Sequence, residues 1–399
     1  MTTAARPRAL PGSIWAMGLA SLCMDASSEL VHSVLPIFLT STLGASVATI
    51  GLLEGVAEAT ASVTKVASGT LSDRAGRRKP LMLLGYGLSA LTKPLFPLAS
   101  TTALVFTARF ADRVGKGIRG APRDALVADL TPPARRGAAY GLRQALDSVG
   151  ACLGPLLATL ILATGLGDVR AAMWVAVVPA LACVALLAVF VREPARAAPA
   201  PRARTLTLDA VRQLPRRYWL VVQLGAVFTL ARFSEAFLVL RAQSAGMSVA
   251  AVPAVMIVMN VAYAGLAYPS GAAADRVSRT TLLLAGLGVL VVSDGVLAAA
   301  SSPALVLAGS AGWGLHLALT QGLLSALVAD AAPSASRGTA FGVFNLVAGI
   351  ALVAASTIAG AAWAAWGPSA PFVAGGTFAA LTGLGVIALR GRPAPRRPA

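Results

Sequence analysis

Acidic side chains lie inside long apolar stretches of this 399-residue chain, where a charge is costly to bury. Asp25 and Glu29 are one helical turn apart, and so are Glu54 and Glu58. A carboxylate that alternates between a desolvated environment and an arginine partner can load and release a proton. Asp112 is a fifth acid of this kind, and the neighbouring Arg113 can serve as the counter-charge. The candidates for proton coupling are therefore Asp25, Glu29, Glu54, Glu58, Asp112 and Arg113.

Asp25 is the first choice among these acids, because it lies roughly in the middle of its apolar stretch. Basic residues three and four positions apart form a stripe on the fourth stretch. We interpret seven further ionisable residues of the apolar stretches as candidates that line a cavity or bind a substrate: Arg109, Lys116, Arg143, Asp147, Arg232, Glu235 and His316. In the alternative interpretation, the acids and bases neutralise each other in a permanent structural network, and a neighbouring helix satisfies the histidine.

The elements that must carry these side chains are membrane-spanning helices. Hydrophobic residues make up 57% of the chain and charged residues 12%, far below the roughly 25% that is usual in a soluble domain. About twelve apolar runs of about 20 residues recur between residues 12 and 390, and each can cross a hydrocarbon core of roughly 30 Å as a helix. The sequence therefore predicts an all-α membrane protein with twelve transmembrane helices, including runs at 80–98, 102–120 and 218–240.

The positive charge of the chain falls mainly in alternate loops. Lys and Arg number 33 against 16 Asp and Glu, and the basic residues cluster before the first run and after every second one. The positive-inside bias predicts a multi-pass protein of the cytoplasmic (inner or plasma) membrane with both termini in the cytoplasm. Binding to nucleic acid is not expected, since no segment is long enough to build a solvated basic domain. The three cysteines lie in apolar segments and indicate neither disulfides nor a metal site.

The chain repeats itself at a shift of about two hundred residues. Residues 69–81 match 271–283 at an offset of 202, and residues 125–141 match 326–342 at an offset of 201. This predicts two six-helix halves related by pseudo-symmetry, joined by a segment rich in Pro, Ala and Arg. The predicted parts are an N-terminal six-helix bundle at 1–191, a cytoplasmic linker at 192–217, a C-terminal six-helix bundle at 218–390 and a cytoplasmic tail at 391–399.

The loop after the second run contains Gly69-Thr-Leu-Ser-Asp73-Arg74-Ala-Gly76-Arg77-Arg78-Lys79. This segment closely resembles the signature of the major facilitator superfamily, and the layout of the whole chain resembles that family. The resemblance implies the major facilitator fold and transport by alternating access of two halves. It also implies a loop that locks one access state, through Gly69, Asp73, Arg74, Gly76 and Arg77. A second copy keeps Asp275 and Arg276, to which the resemblance extends the gating role, but it departs from the pattern at residues 278, 280 and 281.

The fifth run contains Gly150-Ala-Cys-Leu-Gly154-Pro155. This segment resembles the motif typical of proton-linked exporters of the same family, which implies that Gly150, Gly154 and Pro155 take part in efflux. A Gly-x-x-x-Gly step is also a common device for close helix packing, and that alternative stays open. In the same family, a buried arginine of the fourth helix is associated with proton coupling. The resemblance implies that role for Arg113 on the fourth run.

These patterns favour a secondary active transporter that moves a small solute by proton-coupled efflux. The chain has no Gly-x-x-x-x-Gly-Lys-Ser/Thr loop, so we expect a proton gradient as the energy source and no cofactor. The alternative is an uptake permease or facilitator, for which the basic stripe favours an anionic solute. No nucleophile pair or metal-ligand spacing indicates an enzyme. The expected partners are a small-molecule substrate and the lipid bilayer, and we expect a functional monomer.

Overall fold

The computed structural model describes residues 10–75, 77–132, 135–193, 211–212, 214–274, 277–320, 324, 327–328, 331–332 and 337–390. Throughout these residues the regular secondary structure is helical. The helices are α1 (Gly12–Ile37), α2 (Val47–Ala75), α3 (Lys79–Thr92), α4 (Leu95–Leu98), α5 (Thr102–Leu130), α6 (Arg136–Ala163), α7 (Val169–Val175), α8 (Val177–Phe190), α9 (Arg216–Leu230), α10 (Ala236–Ser244), α11 (Ala254–Ala274), α12 (Arg279–Ala299), α13 (Pro303–Thr320), α14 (Arg337–Trp366) and α15 (Ala370–Arg390). A π-helical turn, Phe38–Thr42, extends α1.

Eight helical segments among the described residues are long and apolar enough to cross a membrane. They are α1, α3 with α4, α6, α7 with α8, α12, α13, α14 and α15. The other four of the predicted twelve spans are α2, α5, the pair α9 and α10, and α11. Charged residues lower the hydropathy of α2 and α5, whereas α9 and α10 are each short and α11 has a short apolar part, Ala254–Ala267. Together the segments give the twelve spans that the sequence predicts.

Two spans of the first half differ from the runs that hydropathy predicts. The run at 80–98 divides at Lys93 and Pro94 into α3 and α4, because proline lacks the amide hydrogen that the helical ladder needs. The run at 102–120 continues as α5 to Leu130, through turns that carry charged side chains. The predicted end at residue 120 is therefore wrong by ten residues, since charge lowers hydropathy without ending a helix.

The seventh predicted span, 218–240, is broken between α9 and α10. Residues 232–234 are not helical. The Ser234 amide donates to the Ser356 hydroxyl of α14 at 3.2 Å, and the Ser234 hydroxyl accepts from the Ala236 amide at 3.2 Å. The prediction of one continuous helix is wrong here, because side chains replace the backbone partners that a continuous helix would supply.

The described chain forms two compact units. The first unit comprises Met1–His32 and Val63–Ala203, and the second comprises Ser33–Ser62 and Arg204–Ala399. Contacts thus divide the chain within α1 and α2 as well as in the linker, whereas the predicted division at residue 191 follows the sequence repeat. The predicted boundaries of the two bundles, at residues 191 and 218, describe the sequence repeat and stay a prediction.

In the first unit, α3 and α5 cross at very short range. A methyl group on Gly85 would lie 2.6 Å from the Gly115 carbonyl oxygen, and a methyl group on Gly115 would lie 2.6 Å from the Gly85 carbonyl oxygen. Facing glycines let two helix backbones approach more closely than any side chain permits. The buried side chains of Met17, Tyr86 and Leu126 belong to the core of this unit. The crossing fixes the register in which the polar side chains of α3 and α5 meet.

In the second unit, the first turns of α2 pack closely on α14. A methyl group on Gly55 would lie 2.9 Å from the Val353 α-carbon, and one on Gly360 would lie 3.0 Å from the Ala48 α-carbon. The helices therefore approach backbone to backbone at two successive levels. Any larger residue at these glycines would push α2 away from α14.

Candidate functional site

A buried ion pair joins the residue that ends α3, Lys93, to α5. Lys93 Nζ lies 3.1 Å from Asp112 Oδ1, and the two side chains are 1% and 3% exposed. The same ammonium group donates to the Ser28 hydroxyl of α1 at 3.0 Å. Three helices of the first unit therefore meet at one charged point. Because each charge has lost its hydration, each depends on the other for compensation.

Ser89 connects this ion pair to the basic stripe of α5. Its hydroxyl accepts a hydrogen bond from Arg119 Nη1 at 2.6 Å and donates to the Asp112 carbonyl oxygen at 3.2 Å. The Arg119 guanidinium also lies 4.6 Å from the centre of the Tyr86 ring, a cation–π contact. The close α3–α5 crossing thus holds a cation of the stripe beside the Lys93–Asp112 pair.

Two acids of α1 face the same cluster. The Glu29 carboxylate lies 3.5 Å from His32 Nδ1 and within electrostatic range of Lys116. Asp25 is within electrostatic range of Lys116 as well. The first unit thereby brings together four of the six candidates for proton coupling: Asp25, Glu29, Asp112 and Arg113.

A second set of charges links α5 and α6. Arg143 and Asp147 form an ion pair at 2.8 Å, one turn apart on α6. The Asp124 carboxylate of α5 lies 3.9 Å from Arg143 and 3.3 Å from Arg123, which donates to the Ser21 hydroxyl of α1 at 3.1 Å. The predicted cavity candidates of α6 therefore have partners inside the unit, as the structural-network interpretation requires.

Five of the predicted proton-coupling and cavity residues belong to the second unit: Glu54, Glu58, Arg232, Glu235 and His316. Glu54 is buried and Glu58 is half-buried, both on the part of α2 that packs with α14. Arg232 and Glu235 lie in the non-helical segment between α9 and α10, within electrostatic range of each other. A break of this kind presents helix ends and polar backbone groups at membrane depth, which is typical of transporter sites.

His316 is fully buried on α13. Its Nδ1 shares a 2.8 Å hydrogen bond with the Gly286 carbonyl oxygen of α12, and its ring packs 5.7 Å from that of Phe228. The neighbouring helix therefore satisfies one ring nitrogen, in agreement with the alternative interpretation of this residue.

The start of α3 is tied to α5 and to the chain after α8. Arg78 Nε lies 2.6 Å from Asp129 Oδ2, near the end of α5. Glu193 accepts hydrogen bonds from the backbone amides of Arg78 at 2.5 Å and Lys79 at 3.1 Å. A carboxylate in this position satisfies amides that have no partner within the helix and interacts favourably with the helix dipole. We call Arg78, Asp129 and Glu193 the α3 anchor.

Two of the predicted gating residues, Gly69 and Arg77, are among the residues that the structure fully describes. Gly69 is within α2, and the Arg77 side chain is exposed. The other predicted gating residues lie outside the described residues or have side chains outside them: Asp73, Arg74, Gly76, Asp275 and Arg276. Their gating role stays a prediction.

We expect Arg78→Ala to weaken the α3 anchor by on the order of 1 kcal/mol, because a charge-assisted hydrogen bond is lost while Asp129 remains partly hydrated. Thermal unfolding of the purified protein should show this loss. The charge-reversed pair Arg78→Asp with Asp129→Arg should recover part of it. Arg77→Ala, which changes an exposed neighbour, is the control. Equal effects of Arg77→Ala and Arg78→Ala would contradict the assignment.

The glycines of the exporter-like motif pack α6 against α1. A methyl group on Gly154 would lie 2.5 Å from the Ala26 carbonyl oxygen and 2.6 Å from the Leu30 amide nitrogen. Gly150 approaches the Leu22 carbonyl in the same way, one turn earlier. Pro155 lies inside α6 directly after this contact. The motif therefore sets the position of the α1 segment that contains Asp25 and Glu29, so close packing and a role in transport are compatible.

Sequence reasoning missed Lys93 and the members of the α3 anchor. Lys93 is a lone charge inside the apolar run 80–98, and the rule that singled out Asp25 applies to it equally. Asp129 lies in one of the repeated blocks, but only the folded structure shows that Arg78 and Glu193 are near it.

Twelve spans, a sequence repeat and charged side chains at membrane depth define a multi-pass membrane transporter rather than an enzyme. The sequence profile of the Major Facilitator Superfamily matches residues 17–259 and 225–399. The chain belongs to the major facilitator superfamily and has its fold, with twelve transmembrane helices in two pseudo-symmetric halves.

Two relatives and one solved structure are similar over nearly the full chain. An uncharacterized MFS-type transporter of Methanocaldococcus jannaschii is 33% identical over 94% of this chain and 94% of its own length. An uncharacterized protein of Mycobacterium tuberculosis is 31% identical over 86% of this chain and 84% of its own. The crystal structure of the nucleoside transporter NupG superposes with a TM-score of 0.80 at 13% identity, covering 94% of this chain and 99% of that one.

Two further relatives, whose names state a role or a solute, match part of the chain. The multidrug resistance protein MdtH of Proteus mirabilis is 30% identical over 36% of this chain and 35% of its own length. A probable 4-methylmuconolactone transporter of Cupriavidus pinatubonensis is 30% identical over 47% of this chain and 48% of its own.

Proposed function

We propose that this transporter exports a small solute in exchange for protons, by alternating access, as a monomer in the cytoplasmic membrane with both termini in the cytoplasm. The observation that supports proton exchange best is the cluster of the first unit. There, acids of α1 and α5 lie near cations on α5 and at the end of α3, at membrane depth. No other energy source is required, since a proton gradient drives such exchange directly.

The cluster is suited to exchange because the acids of α1 face cations that belong to another helix. Asp25 and Glu29 belong to α1, whereas Lys116 belongs to α5. A small shift of α1 against α5 would change the separation of these charges, and a carboxylate that loses its cation takes up a proton. Proton binding is thereby linked to the conformation of the unit.

Outward transport has separate support. The Gly150–Gly154 motif resembles that of proton-linked exporters, and it packs directly on the α1 segment that contains the acids. The partial similarity to MdtH, which is named as a multidrug resistance protein, points in the same direction.

A second candidate function is uptake or facilitated diffusion of an anionic solute. Four buried cations lie on α5 or at the end of α3: Lys93, Arg109, Arg113 and Arg119. They outnumber the single buried acid of α3 and α5, Asp112. Such an excess of positive charge at membrane depth favours an anionic ligand.

Proton movement in proteoliposomes tests the proposal, with a panel of cationic, neutral and anionic solutes applied to the native protein and to Asp25→Asn. We expect one class of solute to drive proton counterflow in the native protein. Asp25→Asn should reduce this counterflow at least tenfold, because an amide cannot bind and release a proton, while solute exchange without a gradient continues.

Asp168→Asn is the matched control. Asp168 caps α7 outside the cluster by accepting from the Ala171 amide at 2.9 Å, and asparagine serves equally well as a cap. Its counterflow should equal that of the native protein. Solute flux that ignores the proton gradient, greatest for anions, would instead establish the facilitator.

A further inference from the structure

The second unit contains an acid that the proposed function does not use. Asp294 on α12 is fully buried. Its Oδ1 accepts a 2.8 Å hydrogen bond from the indole of Trp313 on α13. Its Oδ2 is buried too and has no hydrogen-bond partner in the part of the chain that the structure describes. A buried polar atom without a partner is rare in folded proteins and needs an explanation.

Glycine and aromatic rings close the space around this carboxyl group. A methyl group on Gly375 of α15 would lie 2.8 Å from Asp294 Oδ2, so glycine makes room for the oxygen. The Phe233 ring lies 5.3 Å from that of Trp313 and 5.4 Å from that of Phe372. The indole N–H is thus a single donor in an otherwise apolar setting of described side chains.

Few titratable groups lie on the elements packed around Asp294. They are His316 on α13, Arg232 and Glu235 at the break between α9 and α10, and Arg241 on α10; the segment Ala370–Ala388 of α15 contains none. The Arg241 guanidinium is occupied by the carbonyl oxygens of Leu297, Ala298 and Ala300 at the end of α12. Arg232 is within electrostatic range of both Glu235 and His316. Among the described residues, none of these four groups forms an ion pair with Asp294.

We propose that Asp294 is a proton-binding site of the second unit and holds a proton in this conformation. An ionised carboxylate here would lose its hydration for one neutral hydrogen bond, at a cost of several kcal/mol. The neutral acid avoids that cost. Its Oδ1 is the carbonyl oxygen that accepts from Trp313, and its proton is on Oδ2 beside Gly375.

Release of the proton requires water at Oδ2. When α15 separates from α12 at Gly375, water reaches this oxygen, the O–H bond breaks and the proton passes to water. The electron pair stays on the carboxylate, and the Trp313 indole continues to donate to it. The protonation itself is independent of the proposed function, whereas a role of Asp294 in coupling rests on it.

Infrared absorption of the purified full-length protein in lipid bilayers tests the site without any knowledge of the solute. At neutral pH we expect a carbonyl-stretch band of a protonated carboxyl group that is missing in Asp294→Asn and present in Asp168→Asn. The band should fade as the pH is raised and return when it is lowered. Trp313→Phe keeps a ring but removes the donor that stabilises the anion, so the band should persist to higher pH.

Asparagine is a neutral isostere of the protonated acid, so Asp294→Asn should unfold at the same temperature as the native protein. A spectrum that Asp294→Asn leaves unchanged overturns the proposal, and so does a band that stays constant over the whole pH range in which the protein is folded.

The proteoliposome assay separates the two proposals. Native counterflow that Asp294→Asn lowers at least tenfold supports coupling through Asp294, and counterflow that it leaves unchanged overturns that role alone. Native protein without counterflow, but with the expected spectra, refutes proton exchange as the function and leaves the proton site intact.

Discussion

Replacement of Lys93 by alanine is expected to destabilise the protein by about 3–5 kcal/mol, because it leaves the buried Asp112 carboxylate without its cation. Asp112→Asn should cost less, since asparagine is neutral and still accepts a hydrogen bond from the ammonium group. Thermal unfolding of the purified variants measures both effects. Solute flux should fall with Lys93→Ala even at temperatures where the variant remains folded, because the contact with Ser28 of α1 is lost as well.

The double variant Lys93→Met with Asp112→Leu shows whether the pair acts as a unit. Removing both charges should restore most of the stability that Lys93→Ala loses, since no uncompensated charge remains. Lys65→Ala is the control, because the Lys65 side chain is 55% exposed and its carboxylate neighbour Asp124 is 3.9 Å away. Additive losses in the double variant would show that the ion pair is not the source of the effect.

Gly154→Ala is expected to destabilise the protein by about 1–3 kcal/mol, since the added methyl group would overlap backbone atoms of α1 that cannot rotate away. The segment containing Asp25 and Glu29 would have to move from α6. We therefore expect proton-linked flux to fall together with the unfolding temperature, and a proteoliposome assay alongside thermal unfolding measures both.

Gly141→Ala provides the comparison on the same helix. A methyl group at Gly141 would meet no atom within 4 Å, so the variant should be as stable as the native protein or more stable by about 0.5–1 kcal/mol. If Gly154→Ala and Gly141→Ala behave alike, close packing of α6 on α1 is not what the motif provides.

The sequence predicted the fold class well because lipid imposes a simple rule on composition. A span must be apolar over about 20 residues, and ten of the twelve spans are continuous or nearly so. The break at residues 232–234 was not predictable, because it depends on Ser356 of α14, more than a hundred residues away. The same limit applies to Glu193, whose acceptor role needs the end of α8 to lie beside the start of α3.

The candidate site was predicted in part. Counting ionisable residues inside apolar runs located Asp25, Glu29 and Asp112, which the structure gathers in one cluster. The sequence could not tell which charges pair, because pairing depends on helix rotation and on the glycine crossings. Lys93 was within reach of the same count, while the neutral setting of Asp294 follows only from three helices that the fold brings together.

The α3 anchor also has a consequence for the linker that begins after α8. Glu193 is a carboxylate tethered to the amides of Arg78 and Lys79, so its local concentration is high however dilute the protein is. All three residues of the α3 anchor, Arg78, Asp129 and Glu193, belong to the first unit. Lengthening or cutting the chain beyond residue 203 therefore leaves all three members of this contact in the same fragment.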